Sequence, residues 1–272
     1  RVLATARALG LEPAGAVAPD LTLPAAGFPA TLLDIGRAYA AIANGGTMAG
    51  VALSEALPRP ATVQRVTAAD GSDFYVYEPA NRETLSPDLA YLVNDILSDP
   101  EARCRSGDCP EWPALPGEWR AAFAGGKTDA GDSWAVGHTP ALLIGVWSGN
   151  ASAADIWRGL LSWKVGESPA VEWLLEDGLR AVEVCAVSGL LPSRQADCPT
   201  VREWFVPGTE PSEVDDMVRE VAVNRETGRL ATLFTPPHLV ERRTYIDYPP
   251  AAAAWAADAG VESPPTEYDT IR

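Results

Sequence analysis

Two segments in the first hundred residues place apolar side chains at helical spacing. Residues 31–46 start with a Thr31–Asp34 capping pair and stop at a Gly-Gly pair, and residues 86–99 start at a Ser86 cap followed by proline. Such caps and stops are typical of helix ends. We therefore predict two amphipathic scaffold helices. Their predicted buried stripes are Leu32, Ile35, Tyr39 and Ile42 in the first helix and Leu89, Leu92, Val93 and Ile96 in the second.

Strand patterns follow each of these helices. Residues 61–79 hold two short β-rich runs around Asp70-Gly71, a dipeptide typical of tight hairpin turns. Residues 132–150 hold two longer runs joined by a His-Thr-Pro turn, which predicts adjacent antiparallel strands. The pattern of residues 153–163 then predicts an amphipathic helix that closes a first domain. The tryptophans predicted to belong to its core are Trp134, Trp147 and Trp157.

The pattern changes after Lys164, where short strand candidates alternate with Pro/Gly turns. This change predicts two domains, an α/β (α+β) domain over residues 1–165 and a small β-rich module over residues 166–272. Near the end of the chain we predict a brief helix over residues 251–260, followed by a flexible tail over residues 261–272.

Composition excludes several classes of function. The chain has 272 residues, of which 47% are apolar, so it can build a sizeable core without metal or disulfide support. Its formal net charge of −16 argues against nucleic-acid binding, which needs clustered basic residues. The sequence contains no run of eighteen apolar residues, so it predicts no transmembrane span. The chain begins at Arg1 without a methionine or a signal peptide, so we expect a processed product or a fragment, in which an upstream anchor would not be visible.

Four cysteines form two local pairs, Cys104 with Cys109 and Cys185 with Cys198. An even count and local pairing favour two disulfides and an oxidising compartment, although four cysteines permit three connectivities. Metal binding is the alternative, but neither pair has the C-x-x-C spacing and the two histidines of the chain lack ligand-like neighbours. We therefore expect no metal and no other cofactor.

Four blocks, in this order, resemble the transpeptidase domain of class A penicillin-binding proteins, including the penicillin-binding protein 1C type. They are "GFPATLLDIGRAYAAIANGG", "LSPDLAYLVNDILSD", "GGKT...DSWAVGHTPALLIGVWSGN" and the cysteine-bearing "VEVCAVSGLLPSRQADCPTVREWFVPGTEP". The resemblance implies part of a penicillin-binding, serine β-lactamase-like fold. It also implies an extracytoplasmic enzyme with a membrane anchor and a glycosyltransferase domain upstream, which cross-links peptidoglycan stem peptides and is trapped by β-lactams.

The family uses three motifs, S-x-x-K, S-x-N and K-[ST]-G, and the first serine is the acyl-transfer nucleophile. Lys127 and Thr128 match the start of the third motif. The resemblance implies that this lysine and hydroxyl bind the terminal carboxylate of the substrate, a role that suits a cation and a hydrogen-bond donor on a strand edge. These two residues are the predicted substrate-binding site.

The other two motifs are not found where the family has them. Neither lysine of the chain, Lys127 or Lys164, has a serine three positions before it, so the catalytic residues are expected upstream. The Ser148–Asn150 segment matches S-x-N but follows the lysine strand, where a structural strand end is expected.

The third motif is also altered, because Asp129 stands where the family has glycine. At about 4 Å and an effective dielectric constant near 20, its repulsion of a substrate carboxylate is on the order of 4 kcal/mol. The alternative hypothesis is therefore a catalytically degenerate module that binds or scaffolds the cell wall.

Overall fold

The computed structural model describes residues 2–12, 29–52, 57–99, 119–128, 131–165, 171–173, 178–194 and 196–270. The chain divides into two compact units, Arg1–Asp177 and Gly178–Arg272. None of the helices in the described ranges is long and apolar enough to cross a bilayer.

The first unit combines helices with antiparallel strands. Its helices are α1 (Val2–Ala8), α2 (Leu32–Ala43), α3 (Pro87–Ser98) and α4 (Ala153–Val165). Its strands are β1 (Thr47–Gly50), β2 (Arg65–Thr67), β3 (Asp73–Val76), β4 (Ala80–Glu83), β5 (Ala122–Lys127), β6 (Ser133–His138) and β7 (Leu143–Ser148). Strands β1 and β4 pair with each other, β2 and β3 form the hairpin predicted around Asp70-Gly71, and the remaining three form a sheet in the order β5-β6-β7.

Helices α2 and α4 cover opposite faces of this sheet. Ala135 and Val146, a cross-strand pair of β6 and β7, belong to the cluster packed on α4. The next pair, Val136 with Gly145, lies on the other face, where a Cβ at Gly145 would meet the Leu32 side chain of α2 at 3.3 Å. The alternation of side chains along a strand thus places one helix on each side of the sheet.

The core on the α4 face centres on a fully buried tryptophan. Trp157 packs against the Phe123 ring with 4.8 Å between ring centroids, and its indole Nε1 donates to the Gly137 carbonyl at 3.4 Å. A Cβ at Gly137 would lie 2.3 Å from this indole, so the strand needs glycine at that position for the ring to fit. The predicted core role of Trp157 is confirmed.

Helix α2 has the predicted ends. The Thr31 hydroxyl accepts a hydrogen bond from the backbone N–H of Asp34 at 3.1 Å, and Gly45 and Gly46 follow the helix with positive φ angles of 62° and 85°. These contacts are the cap and the stop that the sequence predicts. Of the predicted apolar stripe only Ile42 is fully buried, together with two alanines.

The predicted buried face of α3 is wrong. Leu89 and Ile96 are 48% and 57% exposed, whereas the buried residues are Ala90, Asn94 and Ser98. The Asn94 amide donates to the Ile42 carbonyl at 3.0 Å and so compensates its own burial. Asn94 is therefore buried although it lies outside the apolar stripe that was predicted to face the core.

The second unit is β-rich, as predicted. Its elements are β8 (Arg180–Cys185), β9 (Thr200–Phe205), β10 (Val218–Asn224), β11 (Val240–Ile246) and the short helix α5 (Ala253–Asp258), with single 3₁₀ turns at Pro237–Leu239 and Pro250–Ala252. Strands β8 and β9 form one antiparallel pair and β10 and β11 another.

The prediction of a flexible tail is wrong for the part of the tail that the structure describes. Leu230 pairs with Tyr268 in a parallel bridge, and the buried Asp269 carboxylate accepts from the Asn224 amide at 2.7 Å and the Thr235 hydroxyl at 3.0 Å. Polar composition suggested flexibility, but these hydrogen bonds attach the tail to the body of the unit.

Candidate functional site

The predicted site residues lie at the exposed end of the sheet edge. Among the described strands β5 pairs with β6 alone, so its other edge has backbone groups with no partner strand. Lys127 is the last residue of β5 and Thr128 follows it, and both are exposed. An edge strand that ends in a cation and a hydroxyl can add an extended peptide and bind its terminal carboxylate.

A tight turn follows these two residues. The Thr128 backbone N–H donates to the Asp132 carbonyl at 2.8 Å, and the Gly131 N–H donates to the Thr128 carbonyl at 3.0 Å. Gly131 has a φ of 92°, which favours glycine. Both backbone groups of Thr128 are therefore used by the turn. Asp129 lies outside the described residues.

The glycine before the lysine lets a tryptophan side chain approach the strand. A Cβ at Gly126 would lie 3.1 Å from the Trp134 indole nitrogen, whereas one at Gly125 would meet the Phe123 ring at 3.1 Å on the other face. Trp134 in turn stands opposite Trp147 on β7. Trp147 is 60% exposed, so its predicted core position is wrong.

The lysine and the tryptophans occupy different faces of the sheet. Lys127 pairs with Ser133, and strand alternation places Lys127 on the face of Phe123, opposite to Trp134. The exposed end of the sheet therefore offers a cation on one face and an aromatic pair on the other. Sequence analysis missed this aromatic surface, although two tryptophans at facing strand positions are visible once the strand register is known.

The S-x-N match has the structural role that was predicted for it. Ser148 is the last residue of β7, and its hydroxyl accepts from the Ala151 N–H at 3.0 Å. Ser133 completes the loop, because its hydroxyl donates to the Ala151 carbonyl at 2.6 Å and accepts from the Ala153 N–H at 2.9 Å. These hydroxyls hold the start of α4 against the sheet.

His138 is a core residue. Its ring nitrogen Nε2 lies 2.8 Å from the Asn94 amide oxygen, which requires the proton on Nε2. Tyr39 and Trp173 stand edge-on to the ring at centroid distances of 6.0 and 5.8 Å. Burial lowers the pKa of His138 to about 4, so the imidazole is neutral near pH 7.

A groove of about 810 Å³ opens between α2, β1 and β7. Its walls are mostly apolar and include Leu33, Met48 and Leu143, with Arg37 as the one basic residue among those that line it. The Arg37 guanidinium donates to the Pro58 carbonyl at 2.9 Å. The groove lies on the α2 side of the sheet, whereas Lys127 lies on the opposite side.

A second cluster of reactive side chains lies within the second unit. Cys185, Cys198 and Asp215 are buried, and one possible ligand atom from each lies within 4.8 Å of the others. Both thiols are free in the structure, so the predicted disulfide between them is not formed there. The other predicted pair, Cys104 and Cys109, lies outside the described residues.

The surroundings of this cluster disfavour the thiolate. Burial, which has the largest effect, together with the neighbouring Cys185 and Asp215 raises the pKa of Cys198 to about 11. The Oδ2 atom of Asp215 accepts from the Val218 N–H at 3.0 Å, but its Oδ1 atom is buried without a partner. Sequence analysis did not place Asp215 beside the two cysteines, because it follows Cys198 by 17 residues and no local pattern links them.

The sheet, its covering helices and the β-rich second unit define an α+β fold of the penicillin-binding transpeptidase type. The crystal structure of penicillin-binding protein 1A from Haemophilus influenzae is similar to this chain with a TM-score of 0.55 at 17% sequence identity. The similarity covers 68% of this chain and 33% of that one. The fold class expected from the sequence is confirmed.

Sequence comparisons identify the relatives. Residues 176–220 match the family model "Penicillin-binding protein 1A, C-terminal domain". Penicillin-binding protein 1A of Clostridium botulinum is 26% identical over 86% of this chain and 30% of its own length. Penicillin-binding protein 2D of Bacillus subtilis is 24% identical over 79% of this chain and 31% of its own length. The predicted resemblance to penicillin-binding proteins is confirmed, and the chain spans about a third of the length of these relatives.

Proposed function

We propose that this chain is the C-terminal part of an extracytoplasmic peptidoglycan D,D-transpeptidase. The observation that carries the proposal is the edge strand β5, which ends in Lys127 and Thr128 within a fold of the penicillin-binding type. The similarity to curated penicillin-binding proteins over 86% of the chain supports it. The proposed partners are peptidoglycan stem peptides and β-lactam antibiotics.

In the intact enzyme a serine upstream of residue 1 would attack the penultimate D-alanine carbonyl of a stem peptide. The bond to the terminal D-alanine breaks, the acyl group stays on the serine, and an amine of a neighbouring strand then takes it. A β-lactam acylates the same serine. Lys127 and Thr128 would bind the carboxylate of the terminal D-alanine, through charge and a hydroxyl hydrogen bond respectively.

The upstream part of the protein would complete the site. In this proposal it supplies the nucleophile, a glycosyltransferase domain and a membrane anchor, as the resemblance to class A penicillin-binding proteins implies. The chain itself spans about a third of the relatives it matches. The apolar groove between α2 and β7 offers the first unit a surface for such a segment. An extracytoplasmic location also makes disulfides between the paired cysteines part of the proposal.

A second candidate is a non-catalytic module that binds or scaffolds the cell wall. The observation that favours it is the turn at Thr128, which ends β5 directly after the lysine. Asp129 adds a carboxylate next to the expected position of the substrate carboxylate, where the two charges repel. In this candidate the edge strand binds peptide weakly and no acyl-enzyme forms.

Labelling of the intact protein with a fluorescent penicillin decides between the two. The transpeptidase proposal expects one covalent label per protein, carried by a peptide that lies upstream of residue 1. Absence of covalent label at saturating reagent, in protein that is folded by circular dichroism, would reject transpeptidation and favour the wall-binding module. Sedimentation of the unlabelled protein with purified peptidoglycan would then test wall binding directly.

A further inference from the structure

The two buried thiols of the second unit lie where the backbone already closes a loop. Cys185 is the last residue of β8 and stands opposite Thr200, and Cys198 lies two residues before that partner. The Ala186 N–H donates to the Pro199 carbonyl at 2.7 Å, and these two residues directly follow Cys185 and Cys198. The sulfur atoms therefore meet at the neck of the loop formed by residues 186–197, within 4.8 Å of each other.

The reduced cluster brings three acidic groups together in a buried site. Two thiols and one carboxylate lie within 4.8 Å of one another there. The Asp215 Oδ1 atom has no hydrogen-bond partner. A buried carboxylate beside a thiol disfavours the thiolate, and the high pKa of Cys198 agrees with that.

We propose that Cys185 and Cys198 form a structural disulfide, made before the second unit closes, and that the buried Asp215 carboxylate slows its reduction. The inference rests on the proposed extracytoplasmic location, since a disulfide persists in an oxidising compartment. Two thiols lose two protons and two electrons, and a disulfide-bearing oxidant accepts them by thiol–disulfide exchange and leaves as a dithiol. Because both sulfur atoms are buried in the folded second unit, this exchange must take place before the unit closes around them.

The same surroundings protect the bond afterwards. A reductant attacks as a thiolate, and the Asp215 carboxylate repels that negative charge. The cysteine that leaves must carry negative charge in a buried site, and a thiol of high pKa is a poor leaving group. The disulfide is therefore a permanent cross-link and does not switch with mild changes of redox potential.

Peptide mapping tests the cross-link, because trypsin separates the cysteines. Cleavage after Arg180, Arg194 and Arg202 places Cys185 on peptide 181–194 and Cys198 on peptide 195–202. The protein is exported to the bacterial periplasm, alkylated without reduction and digested. We expect the two peptides linked, two hydrogens lighter than their sum. Singly alkylated peptides, links to Cys104 or Cys109, or one zinc ion per protein released by a thiol reagent would each overturn the proposal.

Reduction kinetics test the role of Asp215. Dithiothreitol should reduce the disulfide in the folded protein about a hundredfold more slowly than in urea, because burial excludes the reductant. The Asp215→Asn variant keeps an acceptor for the Val218 N–H and should be reduced about threefold faster or more. Asp216→Asn, the same charge change at an exposed neighbour, should behave like the wild type.

Equal reduction rates in Asp215→Asn and Asp216→Asn would overturn the protective role. If Asp215→Asn does not fold, equal rates in the folded and unfolded wild type would overturn it instead. The reduced wild type should melt on the order of 10 °C below the oxidised protein, and an unchanged melting temperature would contradict a structural role. Linked peptides without a penicillin label would reject transpeptidation alone, and a label with free thiols would reject the disulfide alone.

Discussion

Glycine and tryptophan pack together at both ends of the β5–β6–β7 sheet, but the pair is buried at one end and lies at an exposed strand edge at the other. At one end Gly137 admits the buried indole of Trp157, and His138 is enclosed by α2, α3 and Trp173. At the other end Gly126 lets an indole lie against an exposed strand edge, next to the lysine that closes β5. Burial makes the first end a structural element, whereas exposure makes the second a candidate binding edge.

The largest effect is expected at the buried end, for Gly137→Ala. The added Cβ would lie 2.3 Å from the Trp157 ring and 2.8 Å from the Ala122 carbonyl, so the sheet or α4 must shift. We expect a loss of about 3 kcal/mol or more in the free energy of unfolding, measured by urea denaturation. The matched control is Gly159→Ala in α4, where nothing lies within 4 Å of the added Cβ.

This control should be neutral or stabilising by up to about 1 kcal/mol, because alanine favours the helix. A Gly137→Ala protein as stable as Gly159→Ala would show that Trp157 does not pack against β6.

The next largest effect is a loss of stability in acid at His138. Its pKa is about 4 in the folded protein and 6.5 when unperturbed, so between these values the unfolded chain binds more protons. Stability should therefore fall as the pH drops from about 6.5 to 4, by about 3 kcal/mol in total. His138→Gln should remove this part of the pH dependence in denaturation measured at pH 7, 6 and 5. An identical slope in wild type and variant would contradict the buried neutral imidazole.

The smallest change in stability is expected at the exposed end, for Gly126→Ala. The three atoms nearest to the added Cβ all belong to the Trp134 side chain, the first at 3.1 Å, and that ring can move toward solvent. We expect a loss of less than about 1 kcal/mol in the free energy of unfolding. A shift in tryptophan fluorescence should accompany it, since Trp134 leaves the strand. A loss as large as that of Gly137→Ala would remove the distinction between the two ends.

Local signals in the sequence predicted the elements and their ends. The Thr31 cap, the Asp70-Gly71 turn and the strands on each side of the His-Thr-Pro turn all lie where the pattern placed them. Each depends on residues close together in the chain, so local chemistry is sufficient to specify it.

Long-range contacts explain what the sequence could not predict. Asn94 is buried because Ile42 and His138, each more than forty residues away, supply its hydrogen bonds. The tail is attached through Asp269 by the same kind of contact. The aromatic surface beside β5 depends on strand register, which pairs Trp134 with Trp147. In each case a contact partner far away in the sequence, and not the local hydrophobic periodicity, decides where the side chain lies.

The central claim is that the exposed end of β5 binds the carboxylate of a penicillin or stem peptide, and the two lysines of the chain allow a direct test. The measurement is the rate constant of acylation by fluorescent penicillin in the intact protein, for Lys127→Ala and for Lys164→Ala in the last turn of α4. We predict a fall of roughly 10- to 100-fold for Lys127→Ala, the loss of one charge-assisted contact, and an unchanged rate for Lys164→Ala. Equal rates in both variants and the wild type would contradict the claim.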